Sequence, residues 1–196
     1  MEHILLENLK GSIVAKEAFA KSHAATVIRL VHAMAACLRQ GGKILIFGNG
    51  GSAADAQHMA AEFVNRFLID RPPLAAMALT TDSSVITSIG NDFSFDDIFA
   101  KQIVALGKEG DVALGISTSG NSQNVVQGLM AARDKGMITV ALTGGNGGVV
   151  KELADFVLIA PTSFTPHIQE VHLWVEHLLC QLVDEVLFGS LAEVTS

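Results

Sequence analysis

The sequence predicts an α/β fold in which a five-stranded parallel sheet is covered by helices on both faces. From residue 43 onward, short runs rich in Val, Ile and Leu alternate with segments of helical spacing. Strands buried on both faces have this continuous apolar character, and their alternation with helices is typical of a parallel sheet. Loops of small and polar residues follow three of the runs, where a strand turns directly into a helix.

The elements are predicted in a regular order along the chain. Helical spacing covers residues 3–39, with a break expected near Ser22 and His23. The strands are predicted at residues 44–47, 74–79, 112–116, 138–142 and 156–160. The intervening helices are predicted at 52–67, 83–89, 95–106 and 122–135, and a long final helix at 168–188. We expect one domain, with an N-terminal helical oligomerisation segment over residues 1–40 and an α/β core over residues 41–190.

Composition and charge exclude several classes of protein. The 196 residues are 49% hydrophobic, which is enough for a sizeable core and too much for a disordered chain. The formal net charge of −7, with no basic cluster, argues against binding to nucleic acid or to an anionic membrane. No apolar run reaches the roughly 18 residues of a membrane helix, and the N-terminus lacks a basic signal-peptide region. Cys37 and Cys180 form no CxxC motif, so we expect reduced core thiols and a cytoplasmic protein.

The most informative segment is Ile-Ser-Thr-Ser-Gly-Asn-Ser at residues 116–122, between the third predicted strand and the following helix. Open parallel sheets bind ligands beyond the carboxyl ends of their strands. Hydroxyls and backbone N–H groups in such a loop can hold an anion at the helix N-terminus. The segment contains no Lys or Arg, so it is not a P-loop of the GxxxxGK[ST] type. We interpret it as a site for a sugar phosphate.

A second glycine-rich loop, at residues 48–53, fits the G-x-G-x-x-A pattern of dinucleotide-binding folds. Such folds usually carry an acidic residue about 20 residues further on, at the end of the next strand. The nearest candidate, Asp82, is roughly thirty residues away from this loop, so the pattern favours no nucleotide cofactor.

Polar residues on two predicted helices form candidate partners. His58 and Glu62 are four residues apart and share one helix face, and Gln169 and His177, eight apart, share another, with His172 beside Gln169. Polar groups facing each other across an apolar core are costly unless they are paired or bind something. The histidines could be satisfied at a subunit contact, or the set could hold a divalent metal ion. Since Gln is an uncommon zinc ligand, spacing alone leaves both interpretations open.

Two further features carry functional interpretations. Asn91 and Asp92 are predicted to lie in a loop after the second strand, where they suit either a turn with a helix N-cap or recognition of sugar hydroxyls. The final helix is apolar on nearly every side. A helix with no polar face needs a second partner, so we expect burial between subunits, together with the apolar N-terminal helices.

Several motifs are distributed over essentially the whole chain. They occupy residues 48–58, 61–62, 89–93, 115–122, 141–144 and 168–172, with His177. Together they resemble the sugar isomerase (SIS) domain family, and within it the phosphoheptose isomerases. The resemblance implies a three-layer, flavodoxin-like α/β sandwich with N-terminal helices and a long C-terminal helix.

The resemblance also implies an activity and a site. The enzyme would be an aldose–ketose isomerase that converts sedoheptulose 7-phosphate to D-glycero-D-manno-heptose 7-phosphate through an enediol, for bacterial heptose and lipopolysaccharide biosynthesis. Ser117, Thr118, Ser119 and Ser122 would hold the phosphate. Further substrate contacts would come from Asn49, Gly50, Gly51, Ser52, Asn91, Asp92 and Gln169. One zinc ion per subunit would be held by His58, Glu62, Gln169 and His177, and the family forms homotetramers with sites built from neighbouring subunits.

The chemistry of these residue types agrees with the resemblance. The Glu62 carboxylate can take the proton bound to C1 while His177 handles the oxygen proton, and zinc would stabilise the enediolate. The main alternative is a non-catalytic SIS protein that binds a replication initiator or senses sugar phosphates; such a module does not need the carboxylate and two histidines. An isomerase for another sugar phosphate also stays open. One departure is Pro166-His167, where family members often carry Arg at the second position.

Overall fold

The computed structural model describes residues 1–189 of the chain. The strands are β1 (Ile44–Gly48), β2 (Ala76–Ala78), β3 (Val112–Ser117), β4 (Ile138–Gly144) and β5 (Phe156–Ala160). The helices are α1 (Glu2–Arg39), α2 (Gly51–Val64), α3 (Ser83–Asp92), α4 (Ile98–Leu106), α5 (Gln123–Asp134) and α6 (Thr165–Phe188). Short 3-10 turns occupy Phe95–Asp97 and Val149–Glu152.

The five strands form one parallel sheet in the order β2-β1-β3-β4-β5. This is the flavodoxin-like order, so the predicted fold class is confirmed. The chain changes direction across the sheet between β1 and β3, whose central pair is Ile46 and Leu114. Loops that leave these two strands on their carboxyl side therefore diverge to opposite faces and open a crevice between them.

Two hydrophobic cores lie on the two faces of the sheet, because successive side chains of a strand point to opposite sides. Ile44 and Ile46 of β1 pack in a core with α1, α2 and α6. Leu45 and Phe47 of the same strand pack with α4 and α5. Three layers result, with the chain's N-terminal and C-terminal helices in the same outer layer.

The predicted break near Ser22 and His23 is wrong: α1 is one continuous helix, and the N-terminal helices are a single helix. The Ser22 hydroxyl donates to the carbonyl of Ala18 (2.9 Å), four residues back, which satisfies it without leaving the helix. His23 Nε2 accepts the backbone N–H of Ile159 on the edge strand β5 (3.2 Å). His23 therefore joins the helix to the sheet, and neither polar residue interrupts the helix.

Much of the apolar surface of α6 is covered within the chain. Val171, Val175, Leu179 and Val183 are fully buried in the core that α6 shares with α1. Trp174 on α6 meets the ring of Phe19 on α1 edge to face, with the ring centroids 6.0 Å apart. The apolar character that predicted a subunit contact for this helix is thus explained largely by α1.

Smaller differences from the prediction occur at element ends. The second strand was expected over residues 74–79 but covers only 76–78. The backbone N–H of Leu74 donates to the carbonyl of Phe63 (3.0 Å), which joins Leu74 to the end of α2 instead of to the sheet. Within residues 1–189, none of the helices combines the length and hydrophobicity that crossing a bilayer requires.

Candidate active site

The loops after β1 and β3 meet at the carboxyl edge of the sheet, where the sequence predicted the ligand site. These strands are neighbours, with Gly48 paired to Ile116. Residues 49–50 and 118–122 follow directly on the two strands and precede α2 and α5. The strand order reverses here, so this edge is the position at which open α/β sheets bind ligands.

The loop at residues 117–122 presents hydroxyls to the start of α5. The buried Ser117 hydroxyl lies 3.0 Å from that of Ser122. Ser122 occupies the N-cap position of α5, but its side chain makes no capping bond. The first N–H groups of the helix are therefore free to donate to a ligand. The Ser119 hydroxyl accepts the N–H of Asn121 (3.2 Å), and Thr118 is half-buried. This arrangement can receive an anion without a basic side chain.

Gly120 brings this loop against the loop after β4. Its φ of +68° lies in the region that favours glycine, and a Cβ at this position would collide with the carbonyl oxygen of Gly147. Beside this contact, a crevice of about 210 Å³ lies between the loop after β3, the loop after β4 and the start of α6. It is lined by Thr118, Ser119, Gly144, Gly145, Asn146, Ser163, Thr165 and Ile168.

Asn49 is bound to Asn124 by two amide hydrogen bonds. Asn49 Nδ2 donates to Asn124 Oδ1 (2.8 Å), and Asn124 Nδ2 donates to Asn49 Oδ1 (2.9 Å). Asn124, on the first turn of α5, is only 3% exposed. The pair joins the two predicted substrate loops. Asn124 was not predicted as a site residue, although an amide among buried apolar residues of a helix is a signal that it binds another polar group.

The start of α2 faces α6 across a second crevice, of about 390 Å³. Gly50 has a φ of +56° at the N-cap of α2, and a Cβ on Gly51 would stand 2.8 Å from Gln169 Nε2. Glycine at residue 51 therefore leaves room for the Gln169 amide. Ser52 is buried beneath the loop, with its Cβ against Gly48, so it lies deeper than the residues around it.

His58 on α2 and His177 on α6 meet side by side. Their Nε2 atoms are 2.9 Å apart, and Glu62 Oε1 lies 3.6 Å from His58 Nε2. Phe67 stacks on the His177 ring, with a centroid distance of 5.4 Å and an interplanar angle of 20°. The structure thus brings together three of the four predicted metal ligands.

Gln169 is the fourth predicted ligand, and it lies apart from the other three. The helices α2 and α6 run parallel, because Gly51 lies beside Gln169 and His58 beside His177. Eight residues separate Gln169 from His177, which is about 12 Å of helix rise. One chain therefore places the Gln169 amide near the start of α2 and the histidine pair about two turns further along.

His172 and Glu176 turn into the core. His172 Nε2 donates to the carbonyl of Thr143 (2.9 Å), and burial lowers the pKa of this imidazole to about 4. Both carboxyl oxygens of Glu176 are buried without a partner, and burial, followed by the charge of Asp55, raises its pKa to about 9. His172 is a packing residue beside Gln169, and Glu176 is a buried carboxyl that was not predicted from the sequence.

Asn91 and Asp92 do not lie in a loop, and the N-cap interpretation is wrong. They are the last two residues of α3, where Asn91 Nδ2 donates to Asp92 Oδ1 (2.8 Å). Ser94 is the N-cap of the next turn and accepts the N–H of Asp96 (3.1 Å). Both side chains are exposed, which leaves the hydroxyl-recognition interpretation open.

The fit of a zinc ion is best judged from the donor atoms. Among residues 1–189, no group of three or more His, Cys, Asp or Glu side chains is placed so that it could hold a metal ion as it stands. Two imidazoles and a carboxylate are nevertheless ligand types that zinc prefers, and bonds of about 2.0–2.1 Å at tetrahedral angles put two ring nitrogens roughly 3.3 Å apart. His58 and His177 would have to separate by a few tenths of an ångström, so the three residues fit the ion after a small side-chain adjustment.

Comparison with known proteins shows the family of this chain. The SIS domain family model matches residues 11–144. A phosphoheptose isomerase from Solidesulfovibrio magneticus is 54% identical over 191 residues, which cover 97% of this chain and 93% of that protein. The chain belongs to the phosphoheptose isomerase family of SIS domains.

Solved structures of two phosphoheptose isomerases share the fold. The one from Neisseria gonorrhoeae has a TM-score of 0.89 at 43% identity, over 94% of this chain and 98% of that chain. The one from Francisella tularensis has a TM-score of 0.90 at 40% identity, over 93% of this chain and 97% of that chain. The similarity to this family therefore extends over nearly the whole fold, including α1 and α6.

The departure from the phosphoheptose isomerase pattern at His167 has a structural explanation. The His167 ring packs against Gly11 in α1, where a Cβ would collide with its Cε1 atom. Phe164 contacts the same ring edge to face, with a centroid distance of 4.7 Å. In this member of the family, His167 joins the start of α6 to α1, and glycine in α1 makes the space for it.

Proposed function

We propose that this protein is an aldose–ketose isomerase that converts sedoheptulose 7-phosphate to D-glycero-D-manno-heptose 7-phosphate. The observation that supports this most strongly is the group formed by His58, Glu62 and His177, with two imidazoles and one carboxylate on adjacent parallel helices. An anion-binding loop follows β3 at the carboxyl edge of the sheet, the edge from which α2 also begins. A binding module for sugar phosphates needs the loop but not the carboxylate and histidines.

The phosphate is proposed to bind at residues 117–122. A chain with a net charge of −7 does not attract an anion by its overall field. Local donors have to do so, and the hydroxyls of Ser117, Thr118, Ser119 and Ser122 and the free N–H groups of α5 are of this kind. These donors would bind the phosphate group and not the sugar carbons. The carbon chain of the sugar would then extend from the phosphate towards α2 and α6.

Proton transfer is proposed to use Glu62 and His177. The Glu62 side chain is 21% exposed and therefore accessible to a ligand. As a general base it takes the proton from C1 of the ketose and later delivers it to C2, while His177 gives a proton to O2 and takes the proton of O1, so that an enediol forms and collapses to the aldose. General acid–base groups of this kind contribute about 10²–10⁴-fold each to the rate.

A zinc ion is proposed as the cofactor, held by His58, Glu62 and His177 and by a glutamine amide. When bound, the ion would stabilise negative charge on the two substrate oxygens. Within one chain Gln169 lies about two helix turns from the histidines. The fourth ligand is therefore proposed to be Gln169 of a second copy of the chain.

A homotetramer is also proposed, as the resemblance implies, because a site completed by Gln169 of a second copy requires an assembly of several chains. The first half of α1 exposes a row of large apolar side chains, namely Ile4, Leu5, Leu6, Leu9, Ile13 and Val14. Exposed apolar surface of this extent in one helix is typical of an interface. A cytoplasmic location is also proposed, since Cys37 and Cys180 are both free and buried, as in proteins of a reducing compartment.

Incubation with sedoheptulose 7-phosphate, with and without a chelator, tests the proposal. Aldose formation that is lost on chelation and restored by zinc supports both the reaction and the metal. Product that is unaffected by the chelator retains the isomerase and rejects the zinc. Binding of the sugar phosphate without any product favours the non-catalytic alternative, and conversion of another sugar phosphate in preference would correct the substrate.

A further inference from the structure

A fully buried arginine joins the end of α2 to α6. Arg71 follows α2 in the connection to β2, and its side chain is 1% exposed. Its Nε donates to Asp184 Oδ1 on α6 (2.7 Å). Its Nη1 donates to the carbonyl of Phe63 (2.7 Å), and its Nη2 donates to the carbonyl of Glu62 (2.9 Å). One planar guanidinium thus bridges two helices.

The two ends of this bridge are the two helices that carry the histidine pair. The last four carbonyls of a helix have no partner within it, and Arg71 satisfies two of them, one of which belongs to Glu62 itself. Asp184 lies seven residues after His177, about two turns further along the same face of α6. Arg71 therefore fixes the position of α2 along α6 at the level just beyond the site.

The electrostatics of the pair do not favour a purely stabilising role. Burying a guanidinium and a carboxylate is costly, and well-packed apolar side chains in their place often give equal or greater stability. Asp184 Oδ2 is buried without a hydrogen-bond partner, so the pair is not fully compensated. Apolar side chains could not replace the hydrogen bonds that the planar guanidinium of Arg71 donates to both helices.

We propose that Arg71 is a positioning residue, which sets the offset of α2 against α6 and so holds the His58 and His177 rings side by side, within a small adjustment of the spacing that zinc binding needs. The proposal rests on the proposed function for its catalytic consequence. Its structural part, the spacing of the two rings, stands independently of any activity.

The test uses the full-length double variant Arg71→Met/Asp184→Leu, which removes both charges together and so avoids an unpaired buried ion. We expect a cooperative thermal transition close to that of the wild type. We also expect zinc affinity, measured by titration calorimetry of the metal-free protein, to fall about 10- to 100-fold, as for other residues that orient ligands. At saturating zinc, kcat should fall while KM changes little, because the phosphate loop belongs to other elements.

The matched control is Lys43→Met/Asp111→Asn. Lys43 and Asp111 form another close ion pair, between the starts of β1 and β3 at the opposite edge of the sheet. This control should lower the melting temperature and leave zinc affinity and kcat unchanged. If the first double variant does not fold, Arg71→Lys is tested in the same way, since lysine keeps the charge but cannot donate in three fixed directions.

Crystal structures of the wild type and the double variant give the readout that does not depend on activity. The Nε2 atoms of His58 and His177 should separate beyond hydrogen-bond distance in the variant. A folded variant with unchanged ring spacing, zinc affinity and kcat would overturn the positioning role. A wild type that neither binds zinc nor isomerises the sugar would overturn the proposed function instead, and the ring spacing would still decide the role of Arg71.

Discussion

The Nε2 atoms of His58 and His177 lie 2.9 Å apart although 119 positions separate the two residues in the chain. At this distance one ring has to donate and the other has to accept, so only one of the two nitrogens carries a proton. A metal ion uses both nitrogens as lone-pair donors and would replace this hydrogen bond. The pair is therefore suited either to hold a proton or to bind a cation, and both uses belong to the proposed isomerase reaction.

Glu62→Gln should abolish turnover. The amide keeps the shape of the carboxyl but cannot accept the proton from C1, so kcat should fall by about 10²–10⁴-fold. Binding of a non-reacting sugar phosphate, measured calorimetrically, should be retained because the phosphate loop is unchanged. Glu109→Gln makes the same chemical change at an exposed position at the other edge of the sheet and should behave as the wild type. Wild-type kcat in the Glu62 variant would remove its assignment as the base.

Gly120→Ala should weaken phosphate binding. Alanine at a positive φ costs about 1–2 kcal/mol, and at this position the new Cβ also meets the carbonyl of Gly147. The loop at residues 117–122 has to shift, so KM for the sugar phosphate should rise by about tenfold or more, the equivalent of about 1.4 kcal/mol. Gly110→Ala is the matched control, since its φ is +83° and no atom lies within 4 Å of the added Cβ. Equal KM values in the two variants would contradict the expected loop contact.

Asn49 and Asn124 should be energetically coupled. Removing either amide leaves the other without two hydrogen bonds, so Asn49→Ala and Asn124→Ala should each destabilise the protein by about 1–3 kcal/mol. The double variant should cost less than the sum of the two. Denaturant unfolding of the four proteins in the cycle measures the coupling, which should fall within about 0.5–3 kcal/mol. Asn124→Ala should also lower kcat/KM, because it frees Asn49, a predicted substrate contact. Additive losses of stability would show that the two amides are not coupled.

Glu176→Gln should change the pH dependence of stability. Burial raises the pKa of Glu176 from 4.5 to about 9, so the folded protein keeps a proton that the unfolded chain loses. The contribution is fully present below pH 4.5 and is lost as the pH rises towards 9, by up to about 1.4 kcal/mol per pH unit. Glutamine cannot titrate, so the variant should gain up to about 4 kcal/mol relative to the wild type as the pH rises from 5 to 8.

Unfolding of the metal-free protein at several pH values measures this gain. His172, whose pKa burial lowers to about 4, gives the opposite slope between pH 6.5 and 4, but it does so in both proteins and cancels in the difference. Glu170→Gln, at an exposed position of the same helix, should run parallel to the wild type. A Glu176 variant that also runs parallel would show that this carboxyl is ionised in the folded protein.

The strands and the serine-rich loop were predictable because their signals are local. A buried parallel strand is a short apolar run, and residues 117–122 carry their hydroxyls and glycine within a single turn. The break at Ser22 was mispredicted because a polar dipeptide resembles a helix end when its long-range partners are unknown. The bond from Ile159 to His23 crosses 136 positions, and no periodicity indicates it.

By itself the sequence determined the α/β class, the five strands, the two glycine- and serine-rich loops and the family, since each depends on neighbouring residues or on motifs. Only the tertiary structure decided that His58 meets His177, that Asn124 holds Asn49, that Gln169 stands two turns away, and that Arg71 spans α2 and α6. The physical reason is that helical spacing gives the direction of a side chain around its own axis. The offset between two helices depends on packing and on buried bonds from distant parts of the chain.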